Sequence, residues 1–194
     1  MPKKVDRLER RTLIADALMR VAADQGLEAV SLRHVAAEAG VSAGMVQHYF
    51  RTKDEMMSFA LAVVRERSQI RVTEAVARLG DDPSPRLLLR TMIAALLPLD
   101  EQTRDDGRVG LAFLAYTAVR PAAVSTLRED TAQLSAFIAS ILPSPKADDA
   151  AAGLLALMEG LGVYLLGGHY TPERALSALD AHLDLLFDSE THAR

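Results

Sequence analysis

Residues 32–53 read LRHVAAEAGVSAGMVQHYFRTK. They hold two short helical patterns separated by Gly40-Val41-Ser42, the layout of a helix-turn-helix. Ser31 is placed to cap a first helix over Leu32 to Ala39. Gly40 ends it, because a tight turn there calls for a positive φ. Ser42 caps a second helix over Ala43 to Phe50 and turns its first amides outward. Val35, Ala39, Val41 and Val46 supply the inner faces, and Ala36 is small where the two helices cross. The outer face of the second helix presents Ala43, Gly44, Gln47 and His48.

Helical signals continue on both sides of this stretch. Upstream, Ile14, Leu18 and Val21 fall at i, i+4, i+7, which predicts a helix over about residues 7–24 with Gly26 as its stop. Downstream, Thr52 and Glu55 form a capping box that opens a long helix reaching about Leu79. Residues 79–85, Leu-Gly-Asp-Asp-Pro-Ser-Pro, then break the chain. Four further patterns follow: Pro85–Leu97, Arg108–Val119, Pro121–Leu142 and Asp148–Gly167. Thr171 caps a final helix with Pro172 at its first position, and Leu176, Leu179, Leu183 and Leu186 make a heptad-like seam. Strand signals are nearly absent. The expectation is an all-α chain of about nine helices: a three-helix head over residues 1–53, joined by the long helix to a helical bundle over residues 54–194.

Composition narrows the function classes. The 194 residues include no cysteine, which excludes disulfides and cysteine-ligated zinc. The net charge of −4 is unevenly spread. Residues 1–53 hold nine Lys and Arg against six Asp and Glu, a net of +3, and the remainder holds 13 against 20, a net of −7. A basic head on an acidic body suits a protein that turns one end toward phosphates. The apolar stretch from Ala150 to Gly168 contains Glu159 and lacks flanking basic clusters, so a helix buried between protein surfaces is expected rather than a membrane span. No secretory signal is read at the N-terminus, and a cytoplasmic protein is expected. The five histidines show no HExxH spacing, and there is no G-x-S-x-G, P-loop or G-x-G-x-x-G. No enzyme, metal site or cofactor is expected. The alternative to DNA binding is a helical hairpin inside a purely structural dimer.

Taken together, Ser31-Leu-Arg-His-Val-Ala36, Ala39-Gly-Val-Ser-x-Gly44 and His48-Tyr-Phe-x-x-Lys53 resemble the N-terminal motif of the TetR family of regulators. The resemblance covers about residues 10–60. It implies a homodimer that binds a palindromic double-stranded operator and is released by a small-molecule effector; a regulator without an effector, or an activator, fits the same motif. By resemblance, Ser31, Ser42, Tyr49 and Lys53 would position phosphates, while Arg33, Ala43, Gly44, Gln47 and His48 would face the major groove or its rim. The sequence departs from the family at Met45, where a small hydroxyl residue often stands, and at Gln47, where a tyrosine often stands. Gln47 has the geometry to reach an adenine edge. The dimer interface is expected from Leu154, Leu157, Leu161 and Leu165 with the seam Leu176, Leu179, Leu183 and Leu186, and Gly160 and Gly162 would permit close helix approach. Effector-pocket residues are expected among Met92, Leu96, Phe113, Leu114, Tyr116, Thr117, Phe137, Met158 and Tyr164, apolar walls with a few polar handles.

Overall fold

The computed structural model describes residues 2–119 and 125–188, leaving undescribed the side chains of residues 2–6, 102, 117, 119 and 125–127. Among the described residues all regular structure is helical: α1 (Pro2–Gln25), α2 (Leu32–Glu38), α3 (Ala43–Tyr49), α4 (Lys53–Ala77), α5 (Pro85–Leu96), α6 (Glu101–Val119), α7 (Ser125–Ile141), α8 (Ala147–Leu166) and α9 (Pro172–Asp188), with one 3₁₀ turn at Leu27–Ala29. The all-α expectation is met.

Local chemistry accounts for most of the boundaries. Gly26 and Gly40 adopt φ of 78° and 65°, where a side chain would be strained. The hydroxyls of Ser31, Ser42 and Ser84 accept from the amides of His34, Met45 and Leu87, closing the first turns of α2, α3 and α5. Thr171 does the same for Arg174 at the start of α9.

Two helix starts come earlier than expected, that of α1 at Pro2 rather than about residue 7 and, more widely, that of α6. α6 begins at Glu101 rather than Arg108. A reciprocal cap starts it early: Thr103 N–H donates to Asp100 Oδ1 at 2.9 Å, and Asp100 N–H donates to Thr103 Oγ1 at 3.2 Å. Gly107 is then carried inside the helix, at a propensity cost of roughly 1 kcal/mol relative to alanine. The expected start of the following helix at Pro121 lies outside the described residues.

The chain forms two compact units. The first runs from α1 to Arg67 and takes in α6 from Asp105. Its core joins Ile14, Leu18 and Val21 of α1 to Val35, Val46, Phe50, Met56 and Ala60, with Val109 and Phe113 of α6. The second runs from Ser68 to Arg104 and takes in α7, α8 and α9. Its core is built from Leu89, Ile93, Leu97, Ile138, Leu154, Leu161, Leu165, Leu179 and Leu183. The expected division at residues 53/54 marks the start of α4, whereas the compact units part after Arg67. The reason is packing, since Met56, Met57, Ala60 and Val64 of α4 are buried in the first core.

Within the second unit, α5 is fastened to α9 by charge. Arg90 donates from Nε to Asp180 Oδ1 at 2.6 Å and from Nη2 to Asp180 Oδ2 at 3.1 Å, and Arg86 donates to Asp184 Oδ1 at 2.8 Å. α8 is long and apolar enough to cross a membrane by length and composition. Ala151, Leu154, Leu161 and Leu165 on one side of it are buried in the second unit's core.

Candidate nucleic-acid interface

α2 and α3 are held from behind. Val35 and Ala36 of α2 are buried, and α3 has one buried residue, Val46. The turn between them is closed by Val41 N–H donating to Ala36 O at 2.9 Å. Burial of this inner stripe leaves Ala43, Gly44, Met45, Gln47 and His48 of α3 exposed, with Arg33 and His34 of α2. The expected outer face of Ala43, Gly44, Gln47 and His48 is therefore open, alongside exposed Arg33. A Cβ built on Gly44 would meet nothing nearer than Ser42 Oγ at 3.9 Å. Packing within the chain does not require glycine there, and its effect is a low, smooth surface.

The residues assigned to phosphate are placed less uniformly. Ser42 is exposed, but its Oγ accepts from Met45 N–H at 3.1 Å, and Ser31 Oγ accepts from His34 N–H at 3.2 Å. Both hydroxyls still have a proton to donate. Tyr49 is half-buried against the first core, with its ring edge-to-face with His48 at 5.1 Å. Lys53 Nζ donates to the Leu27 carbonyl at 3.0 Å, tying the first residue of α4 to the 3₁₀ turn. One of its three N–H groups is thereby used inside the chain.

The capping box at the start of α4 is displaced by one residue. Glu55 N–H donates to Thr52 Oγ1 at 3.0 Å as expected, but the Glu55 carboxylate accepts from Arg51 N–H at 2.9 Å. The same carboxylate faces Arg11 at 3.5 Å. Arg11 is a residue the sequence did not single out. Its guanidinium lies over both Phe50 and Phe59, 4.6 and 4.5 Å from the ring centres. The rings lie 39 and 48 positions away in sequence, beyond the reach of any local pattern. Nearby, Arg20 pairs with Glu38 at 2.6 Å, linking α1 to the end of α2.

Burial within the single chain divides the expected dimer stripe. Leu154, Leu161, Leu165, Leu179 and Leu183 are 3% exposed or less within the single chain, so this stripe faces the chain's own core. Leu157, Leu176 and Leu186 are half-buried. The heptad-like spacing marks an apolar face of α9, and the α5 and α8 leucines of the same chain cover it. The residues that remain open on these helices include Ala152, Gly153, Ala156, Glu159, Val163 and Tyr164 of α8, and Ser177, Ala181, Asp184 and Leu185 of α9. Gly162 packs within the chain, 3.9 Å from Pro98 at its built Cβ, while Gly160 has nothing within 4 Å.

The expected pocket residues fall in both compact units. Phe113 and Tyr116 belong to the first unit's core. Met92, Leu96 and Met158 are half-buried in the second unit, where Phe137 and Tyr164 are 44% and 47% exposed. Leu114 is half-buried. The Thr117 side chain lies outside the described residues. A shallow groove between α7 and α8 is lined by residues outside the expected set, among them Ala136, Ser140, Pro145, Lys146 and Asp149. Among the described residues no cluster of His, Asp and Glu is arranged to hold a metal.

Comparison with known proteins places this geometry in a group. Residues 14–58 match the family of bacterial regulatory proteins of the tetR type, and residues 85–188 match the C-terminal part of BetI-type transcriptional repressors. The chain is 31% identical to the HTH-type transcriptional regulator BetI of Burkholderia thailandensis over 193 residues, 96% of this chain and 97% of that protein. A crystal structure of a transcriptional regulator from Rhodococcus sp. RHA1 superposes with a TM-score of 0.83 at 35% identity, covering 92% of this chain and 96% of that one. A putative transcriptional regulator from Saccharomonospora viridis, solved in complex with choline, shares the fold at 23% identity, with a TM-score of 0.72 over 95% and 97% of the two chains.

Proposed function

We propose, from the premise that the chain belongs to the TetR family and is a DNA-binding transcriptional regulator rather than an enzyme, that it acts as a homodimeric repressor released from a palindromic operator by a small molecule. The observation that carries the operator reading is the division of α3: Val46 buried behind, and Ala43, Gly44, Gln47 and His48 exposed in front. A helix with that division fits the major groove, where Gln47 and His48 reach base edges and Gly44 lets the surface approach closely. Ser31, Ser42, Tyr49 and Lys53 flank it as phosphate-positioning groups, with Arg33 at the rim. The reading head is then the segment up to residue 53, and residues 54–194 serve dimerisation and effector binding.

One such helix contacts too few base pairs for useful selectivity, and a two-fold dimer supplies the second half-site. The open face of α8 and α9 supports the dimer: it combines Gly153, Ala156 and Val163 with Leu185, the residue 68% exposed. Small residues beside exposed apolar ones suit close packing of helices from a second copy.

A small-molecule effector is supported by the choline-bound neighbour described above. Half-buried Met92, Leu96 and Met158 offer adaptable apolar contacts for it. Release requires that the effector bind more tightly to a form unable to grip DNA. In this reading the long helix α4 carries the change to the reading head. The bacterial cytoplasm, where the chromosome lies, is the compartment such a regulator requires.

The test is fluorescence anisotropy of the purified protein on the DNA upstream of its own gene, across a salt series, with an unrelated duplex as control. Selective binding that weakens steeply with salt is the expected result. Equal weak binding to both duplexes, with no site returned by selection from genomic DNA, would overturn the operator reading.

A further inference from the structure

The front of the first turn of α3 carries no polar side chain. Ala43 and Gly44 present a methyl group and a hydrogen, and the long side chain there is Met45, 37% exposed. Its backbone amide is satisfied by Ser42 Oγ. The buried anchor of α3 is its neighbour Val46, and Met45 belongs to neither the buried core nor the half-buried shell around it. The fold therefore leaves a flexible, polarizable apolar side chain on the surface that the operator reading turns toward DNA.

A thioether has no proton to donate and is a weak acceptor, so it does not recognise a base by hydrogen bonding. The major-groove edges of the four base pairs offer one apolar group, the C5-methyl of thymine. We propose that Met45 is a specificity-determining residue that reads a thymine C5-methyl in each operator half-site. The inference rests on the operator reading above. It also gives a role to the position where the chain departs from its family: lacking a hydroxyl, Met45 replaces a polar contact with an apolar one.

The test uses the operator returned by genomic selection. Each thymine is replaced in turn by deoxyuridine, which removes the methyl group and leaves the hydrogen-bonding edge intact. Binding is measured for the wild-type protein, Met45→Ala and Met45→Leu. The wild type is expected to lose about 3- to 5-fold in affinity at one thymine per half-site, the effect of a single buried methyl group. Met45→Ala should bind the thymine operator more weakly and be indifferent to uracil at that position. Met45→Leu, which keeps apolar bulk, should retain the sensitivity. Uracil profiles that are the same in wild type and Met45→Ala would overturn the proposal, as would a wild type sensitive at no thymine. A protein that selects no duplex fails earlier, before any uracil is introduced, and takes the operator reading down with this one.

Discussion

Arg11 holds its guanidinium 4.6 Å above the ring centre of Phe50, the residue that closes α3. The cation is shared with the neighbouring ring of Phe59, 4.5 Å from its centre, and faces Glu55 at 3.5 Å. α1 thereby grips the junction between α3 and α4, the point that fixes where the exposed face of α3 is aimed. The ion pair is long and Glu55 is 41% exposed, so the ring contacts carry more of the interaction than the charge pair.

Arg11→Met should therefore lower stability by about 1–2 kcal/mol, read by urea unfolding followed by circular dichroism. Arg11→Lys should recover little of this, because an ammonium lacks the flat, weakly hydrated surface that a guanidinium offers to aromatic rings. Glu55→Gln should cost less than Arg11→Met. A variant series in which Glu55→Gln cost the most would assign the contact to the ion pair instead.

At Gly44 the requirements of folding and of binding point in opposite directions. A methyl group there meets only Ser42 Oγ at 3.9 Å, and φ is not in the left-handed region. Gly44→Ala should raise stability by roughly 0.5–1 kcal/mol through helix propensity. The same methyl group should weaken operator binding by about tenfold, because it stands where the groove approaches. Thermal unfolding and anisotropy on one protein preparation test both halves. Unchanged affinity would move the closest approach of DNA away from Gly44.

Asp180 receives both prongs of Arg90, and those hydrogen bonds hold the Arg90 pKa above the ordinary arginine value. Asp180→Asn should cost about 1–2 kcal/mol and make Arg90→Ala less harmful than in the wild type. A double-mutant cycle measures that coupling. Strictly additive losses would mean that the pair contributes nothing beyond its separate side chains.

Glu159 lies on the apolar helix α8, and loss of hydration raises its carboxyl above the ordinary glutamate value. With a folded-state pKa above the unfolded one, the contribution to stability is fully present below the unfolded value, near pH 4.5, and is lost as pH rises through the folded value. Glu159→Gln should therefore unfold at a higher temperature than the wild type at pH 7, and the difference should shrink on acidification to pH 4. The exposed surface of Glu159 keeps the effect small. A variant less stable at pH 7 would show that the carboxylate is satisfied rather than penalised.

How much of this was legible depended on the range of the signal. The helix-turn-helix was readable because its determinants are local: Ser31 and Ser42 cap the helices they precede, and Gly40 turns where its φ allows. The start of α6 lies earlier than the apolar periodicity suggests, because Asp100 and Thr103 form a cap ahead of a charged first turn that carries no apolar repeat. Leu179 and Leu183 show the limit of periodicity. The spacing identifies an apolar face, but it carries no information about which surface covers that face, and here the same chain does. Arg11 was invisible because its partners are brought to it by the packing of α1 against α3 and α4. Phe113 and Met158 look alike in sequence, and only packing assigns one to the first core and the other to the second.

α3 owes its place in the fold to Val46, with Phe50 closing its end, and asks nothing of the residues in front. Alphabet and page are thus kept apart. Positions 43, 44, 45, 47 and 48 are free to be rewritten without consulting the core. Descendants of this chain can acquire new target sites by changing a handful of letters, while the scaffold that presents them is inherited intact.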